Sequence, residues 1–292
     1  MSAGKKLIQL CAGSEGKHMI DKLSVIVADI DGTMVSKGQM IMPRTKQAVE
    51  TLHAQGVKFG LSSGRKINQA MFLKKEDWGF PFDFDLLIGM NGGQLWDKEH
   101  DEIESYYMLD TDTMREIIRR MEPLHVNPMI YEKDYMVAMY WDEQIHSSMM
   151  RNHMDVVITD GDSERICIAP NYNVIFRFSP ERTAEVEAFA KTLDCDRYVG
   201  IRTSDGIIEF MDPRVNKGMA LEKYSIRSGI PLSEIMAFGD MDNDKEMLKT
   251  AGWGVCLKNG SDISKSMADA VTEYPVTEDG LGRYLEDHWL NR

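Results

Sequence analysis

The run Leu23–Ala28 (LSVIVA), followed at once by Asp29-Ile30-Asp31-Gly32-Thr33, constrains this chain more than any other stretch. Val and Ile without polar alternation mark a strand buried on both faces, the habit of a parallel sheet. Two carboxylates two residues apart then stand where the strand ends, and Gly32 lets the chain turn. In open α/β sheets the reactive crevice lies outside the carboxyl ends of the strands. Asp29 and Asp31 therefore stand where a nucleophile or metal ligand and a proton carrier are useful. Taken alone, the five residues also fit a plain strand end with an Asp-Gly turn.

Three further segments narrow the reading. Leu61-Ser62-Ser63-Gly64-Arg65 follows the apolar run Val57–Leu61, and Asn216-Lys217-Gly218 opens a helical segment. Gly239-Asp240-Met241-Asp242-Asn243-Asp244 follows the apolar run Ile235–Phe238. In this order the four segments resemble the motifs of the haloacid dehalogenase (HAD) superfamily. The long insert before Lys217 is similar to the Cof-type sugar-phosphatase branch. Asn91-Gly92-Gly93, Gly254–Gly260 (GVCLKNG) and Thr277–Leu281 (TEDGL) extend the resemblance over nearly all of residues 20–292.

The resemblance implies a hydrolase of small phosphomonoesters, with sugar phosphates the default class. It makes Asp29 the nucleophile and Asp31 the general acid/base. Lys217 bridges Asp29 and the phosphate, and Ser63 stands where the family commonly has Thr, keeping the hydroxyl for a phosphoryl oxygen. The implied cofactor is Mg2+, held by the Asp29 side chain, the Asp31 backbone carbonyl and Asp240. Such a set suits an ion that prefers oxygen ligands and keeps several waters. Asn243 supports the phosphate or metal shell, and Asp244 orients its neighbours. Gly32 and Thr33 shape the phosphate cradle, and Gly64 lets the backbone approach closely. Arg65 is a phosphate-binding candidate, with surface or structural pairing as its alternative. Asn91 and Gly92 are candidate substrate contacts, with ordinary turn chemistry as theirs. Asp242 reads as a solvated turn carboxylate.

The formal charge of −13 repels a nucleic-acid backbone. It also repels a small phosphorylated metabolite, so Lys217, Arg65 and a bound cation must supply local positive charge. Apolar content of 43% and charged content of 28% describe an ordinary globular chain, with no apolar run near the ~20 residues a membrane span needs. Cys11, Cys167, Cys195 and Cys256 are scattered, which argues against a disulfide framework or zinc site and for the reducing cytoplasm. His146 and His153 share a helical face at i, i+7 and read as solvated rather than as a metal pair. The 22 methionines, Met114 and Met121 among them, read as adaptable packing. Residues 1–19 read as a leader or disordered extension.

Alternating strands and helices up to Leu86–Gly89 imply a parallel, Rossmann-like sheet. The helices are expected near Arg44–Gln55 and Ile67–Lys75. The middle changes character, with short strands near Met129–Glu132, Tyr135–Tyr140, Asn173–Phe178 and Tyr198–Thr203. A helix is expected there near Thr113–Leu124, opened by the capping box Thr113-x-x-Glu116. The expected organisation is a discontinuous α/β core, 20–90 and 203–292, with an α+β cap inserted at 91–202. Its hinges are expected near Asn91-Gly92 and Ser204-Asp205-Gly206. Two other functions share these motifs. A phosphomutase of the phosphomannomutase type would return an isomerised sugar phosphate. A non-catalytic phosphate-binding protein would have lost one of Asp29, Asp31, Lys217 and Asp240, and all four are present.

Overall fold

The computed structural model describes residues 19–36, 40–152 and 154–291. The expected leader, apart from Met19, and the His153 half of the histidine pair lie outside them. The strands are β1 (Val25–Asp29), β2 (Lys58–Ser62), β3 (Leu86–Gly89), β4 (Gln94–Asp97), β5 (Ile103–Ser105), β6 (Asn127–Tyr131), β7 (Tyr135–Ala138) and β8 (Asp155–Ile158). They continue as β9 (Val174–Arg177), β10 (Val199–Ser204), β11 (Ile207–Met211), β12 (Ile235–Gly239), β13 (Trp253–Cys256) and β14 (Ala270–Val271). The helices are α1 (Pro43–Ala54), α2 (Gln69–Phe72), α3 (Lys74–Asp77), α4 (Thr111–Met121) and α5 (Glu143–Asn152). After them come α6 (Thr183–Lys191), α7 (Lys217–Ser228), α8 (Lys245–Thr250), α9 (Asp262–Met267) and α10 (Gly280–Leu285).

Among the described residues the strands form two sheets, in the orders β14-β13-β12-β1-β2-β3-β4-β5 and β10-β11-β9-β6-β7-β8. The first is parallel from β14 to β3, with β4 and β5 added antiparallel. Strand β1 is central and buried on both faces, as its composition requires. Ile26 and Ala28 pack into one apolar cluster, Val25 and Val27 into the other. The register matters for the site: Asp29 lies opposite Ser62 on β2, and Ala28 lies opposite Phe238 on β12. The carboxyl ends of three strands thus bring Asp29, Ser63 and Asp240 to one end of the sheet. The second sheet carries α4 and α6 against one face, through Met114, Ile117, Ile118 and Met121 on α4 and Val186 and Ala190 on α6. Burying each large side chain of this set contributes about 1.5–3 kcal/mol. This is the expected α/β core with a second, mixed sheet as its cap.

Three local expectations change. The sheets divide later in the chain than expected at both ends. Met90, Asn91 and Gly92 all have positive φ (50°, 53° and 106°), and this tight reversal returns β4 antiparallel onto β3 rather than leading into the cap. Ser204-Asp205-Gly206 is the turn of the β10–β11 hairpin, inside the second sheet. The crossings lie instead after Ser105 and after Met211. The helix expected at Ile67–Lys75 is broken into α2 and α3. Ile67 donates its amide to Gln94 Oε1 (2.8 Å), outside any helix, and Asn68 caps α2 by accepting from the Met71 amide. Helix α4 begins two residues before Thr113, with Asp110 as its N-cap accepting from the Thr113 amide at 2.8 Å. Glu116 instead takes Arg197 and Tyr198, so there is no capping box.

Candidate active site

Lys217 is the first residue of α7, whose N-cap Asn216 accepts from the Met219 amide at 2.8 Å. A cation there opposes the helix dipole, and this one is fully buried. Two carboxylates compensate it: Lys217 Nζ donates to Asp29 Oδ1 at 2.5 Å and to Asp244 Oδ1 at 2.6 Å. Asp244 in turn accepts from the backbone amides of Asp240 (2.9 Å) and Met241 (3.0 Å) through Oδ2. It therefore fixes the lysine and the β12 loop together. Asp240 Oδ1 accepts from the Thr33 hydroxyl at 2.9 Å.

Burial works against the Lys217 ammonium, but Asp244 and Asp29 outweigh it and hold its pKa above the ordinary lysine value. Burial also pushes the Asp29 carboxyl up to about 8, against the pull of Lys217. Burial, with the charge of Asp244, lifts Asp240 to about 7. Lysine and carboxylates form one coupled cluster, and three carboxylates around one ammonium leave it short of positive charge. Asp29, Asp240 and Asp244 each present an oxygen within 4.8 Å of the others, so the cluster could hold a metal ion. Asp244 already has both oxygens engaged. Asp29 and Asp240 have one oxygen each committed to protein, and their second oxygens suit an ion with few protein ligands.

The loop after β1 folds tightly against this cluster. Gly32 has φ +100°, and a Cβ there would lie 2.2 Å from Asp240 Oδ2, so only glycine fits. Its amide donates to the Val35 carbonyl (2.8 Å), and its carbonyl accepts from Asn259 Nδ2 (2.9 Å). Thr33 acts through its hydroxyl on Asp240. Ser63 is held by backbone bonds: its amide donates to the Ile88 carbonyl (2.9 Å), and its carbonyl accepts from the Asn91 amide (3.1 Å). Its Oγ accepts from the Arg65 amide at 3.2 Å. Arg65 Nη2 donates to Asp31 Oδ2 at 2.5 Å, both side chains about half exposed, which is the pairing alternative for Arg65. Asn91 Oδ1 accepts from Asn243 Nδ2 at 3.0 Å, and a Cβ on Gly64 would meet that oxygen at 3.2 Å. Gly92 packs against the chain entering α7, where a Cβ would lie 2.2 Å from the Asn216 carbonyl. Asp242 accepts from the Ser261 hydroxyl at 2.5 Å. Two contacts went unread in the sequence: the Asn259 clamp on Gly32, and the entry of Asp244 into the acidic cluster itself. Asn259 lies within the GVCLKNG segment, which was the available signal.

A nucleophile-capable carboxylate, a buried ammonium and an acidic cluster, all at the carboxyl ends of parallel strands beneath a capping sheet, define a class. A model of the haloacid dehalogenase-like hydrolases matches residues 26–285, and the chain belongs to that family. It is a HAD-type phosphatase, a phosphomonoester hydrolase, with a second, mixed sheet as its cap. Among its relatives is the 5-amino-6-(5-phospho-D-ribitylamino)uracil phosphatase YitU of Bacillus subtilis. That protein is 26% identical over 279 residues, covering 93% of this chain and 99% of the relative. A second Bacillus subtilis phosphatase named for the same compound, YcsE, is 26% identical over 272 residues, covering 92% of this chain and 96% of the relative. The fold is similar to that of a haloacid dehalogenase-like hydrolase from Bacteroides thetaiotaomicron (TM-score 0.77, 21% identity, 91% of this chain and 99% of the other). Among the described residues no helix is long and apolar enough to cross a membrane.

Proposed function

We propose that the chain is a Mg2+-dependent phosphatase of small phosphomonoesters, sugar phosphates foremost, working through an aspartyl-phosphate on Asp29. The observation that carries this reading is the buried Lys217 held between Asp29 and Asp244, with Asp240 alongside. Lys217 orients the Asp29 carboxylate and neutralises charge on the transferring phosphoryl group. Asp29 attacks phosphorus in line with the leaving oxygen, giving an acyl phosphate that stays reactive toward water. Asp31 protonates the leaving alkoxide and then deprotonates the hydrolytic water, and Arg65 holds it at the mouth of the site. Ser63 donates its hydroxyl to a phosphoryl oxygen, while Gly32, Thr33 and Gly64 shape the cradle. Asn91 and Asn243 brace it from the motif loops, and Gly92 sets the close packing of its reversal against α7. Asp29, the Asp31 carbonyl and Asp240 hold the Mg2+, which when bound supplies the positive charge the cluster lacks. We place the enzyme in the cytoplasm, in keeping with its free cysteines Cys167, Cys195 and Cys256.

A phosphate-release screen over sugar phosphates, nucleotides, pyridoxal phosphate and the ribityl phosphate ester of the Bacillus relatives tests the substrate class. Chelator abolishes turnover and Mg2+ restores it. Ca2+, with its larger and looser shell, binds without supporting good in-line geometry. Full activity in excess chelator would remove Asp29 and Asp240 from a metal role. Product analysis with a hexose 1-phosphate yields free phosphate, whereas an isomerised sugar phosphate would make the chain a mutase.

A further inference from the structure

One face of the cap sheet differs from the rest of it. The pairings Met129↔Ile175 and Glu209↔Ile175 put Tyr131, Asn173, Arg177 and Glu209 on the same face, because side chains alternate along each strand. The opposite face is apolar and covered by α4 and α6. Helix α5 covers part of the polar face through Ile145 packed on Met129, Met136 and Ala138. Beside α5 the polar side chains form a hydrogen-bonded cluster. Asn152 donates to Tyr131 Oη (3.0 Å), and Asn173 and Thr203 each donate to Glu209 (2.9 Å).

Arg177 is the anomaly within it. Its side chain is buried, the residue being 6% exposed, yet Nε has no hydrogen-bond partner, and Nη2 reaches only the neutral Gln144 at 3.5 Å. Burial, and then the positive charge of Arg151, lower its pKa. Asp142 and Glu209 act on it through space only, neither forming an ion pair with it, and burial raises the Glu209 carboxyl above its ordinary pKa. Among the described residues neither Arg177 nor Arg151 forms an ion pair with a carboxylate. The chain has 47 acidic residues against 34 lysines and arginines, so carboxylates are not scarce. A buried guanidinium without one is unfavourable unless something else brings the negative charge. The turn after β6 lies within electrostatic reach of the loop after β2. Lys66, next to the Asp31 partner Arg65, is half-buried under the charges of Glu132 and Asp134, and Tyr131 directly precedes them.

We propose that Arg177 and Arg151 bind a second anionic group, a carboxylate or a phosphate, on the leaving half of the substrate. Tyr131 and Asn173 hydrogen-bond to its neighbouring hydroxyls. The inference rests on the phosphatase reading above and gives it a substrate class, phosphomonoesters that carry a further anion. Two matched pairs test it: sorbitol 6-phosphate against 6-phosphogluconate, and fructose 6-phosphate against fructose 1,6-bisphosphate. The wild-type chain favours the second member of each pair in kcat/KM by about tenfold or more, the scale of one charge-assisted contact. Arg177→Gln and Arg151→Gln each reduce that ratio by about tenfold, and Arg177→Lys keeps part of it. Loss of structure lowers both members of a pair together and leaves the ratio alone. If Arg177→Gln does not fold, Arg151→Gln on the exposed end of α5 carries the test. A wild-type ratio near one, or ratios unchanged in the variants, overturns the proposal. So does free malonate altering p-nitrophenyl phosphate turnover while the pairs show no preference, which makes the arginine pair an effector site. Wild-type p-nitrophenyl phosphate hydrolysis separates the two readings. Its absence ends the phosphatase reading and this one with it, and its presence without anion preference ends only this one.

Discussion

Two buried cations, one at the end of the core sheet on α7 and one within the cap sheet on β9, sit in opposite circumstances. Lys217, at the carboxyl ends of the core strands, donates to two carboxylates at 2.5 and 2.6 Å. Arg177, on the central strands of the cap, has a neutral amide at 3.5 Å and an orphaned Nε. The core has prepared its charges in advance, so an incoming phosphoryl group meets dipoles that need little reorganisation. The cap has left its charge open. On the readings proposed above, the chemistry is built at the end of one sheet, and the choice of leaving group falls to the other.

The comparison breaks first at Asp29. If the core cluster is the reaction centre, Asp29→Asn removes essentially all phosphate release while the far-ultraviolet circular dichroism stays native, because an amide cannot form the acyl phosphate. Turnover above a trace in that purified variant refutes the assignment. Lys217→Met comes next. It leaves Asp29 and Asp244 buried without their cation, which costs about 3–5 kcal/mol on the scale of broken buried pairs. Urea unfolding without added metal measures that loss, and a midpoint equal to wild type means the pair is not a structural support. Asp31→Asn is milder. It slows phosphate release by roughly two orders of magnitude, as for loss of a positioned acid/base, and stability barely moves because Asp31 is about half exposed. A near-native rate assigns the proton to water or another group.

How far the chain could be read depended on the distance over which its physics acts. The unbroken apolar run of β1 sets burial on both faces, and that places Asp29 at the strand end. Pro43 and the left-handed Gly229 bound α1 and α7 through local backbone preference alone. Contacts between distant segments were not legible. Asn259 reaches Gly32 across 227 residues, and Asp244 meets the Lys217 ammonium across 27. Glycine misled where it could mean two things. Asn91-Gly92-Gly93 and Ser204-Asp205-Gly206 both announce a turn, but whether a turn closes a hairpin or opens a hinge depends on the strands that flank it. Both proved to be reversals within a sheet.

The start of α4 gives the smallest and sharpest test, since one residue decides between the cap read from sequence and the cap in the structure. Asp110 accepts from the Thr113 amide at 2.8 Å and from the Thr113 hydroxyl at 3.1 Å, while Glu116 turns away to Arg197 and Tyr198. The Thr113 amide bond, with burial opposing it, holds the Asp110 carboxyl below its ordinary pKa. A depressed folded-state pKa means that the cap's stabilisation is fully present above the unfolded carboxylate's pKa. It is lost as pH falls through the folded value. Asp110→Ala therefore lowers stability by about 1 kcal/mol at neutral pH, a typical N-cap effect. The difference from wild type shrinks in acid, where Asp110 is protonated in both folded and unfolded chains. Urea unfolding of both proteins at neutral pH and in acid measures it. A deficit of the same size at both pH values would show that shape rather than charge at Asp110 starts the helix. No deficit at neutral pH would return the cap to Thr113.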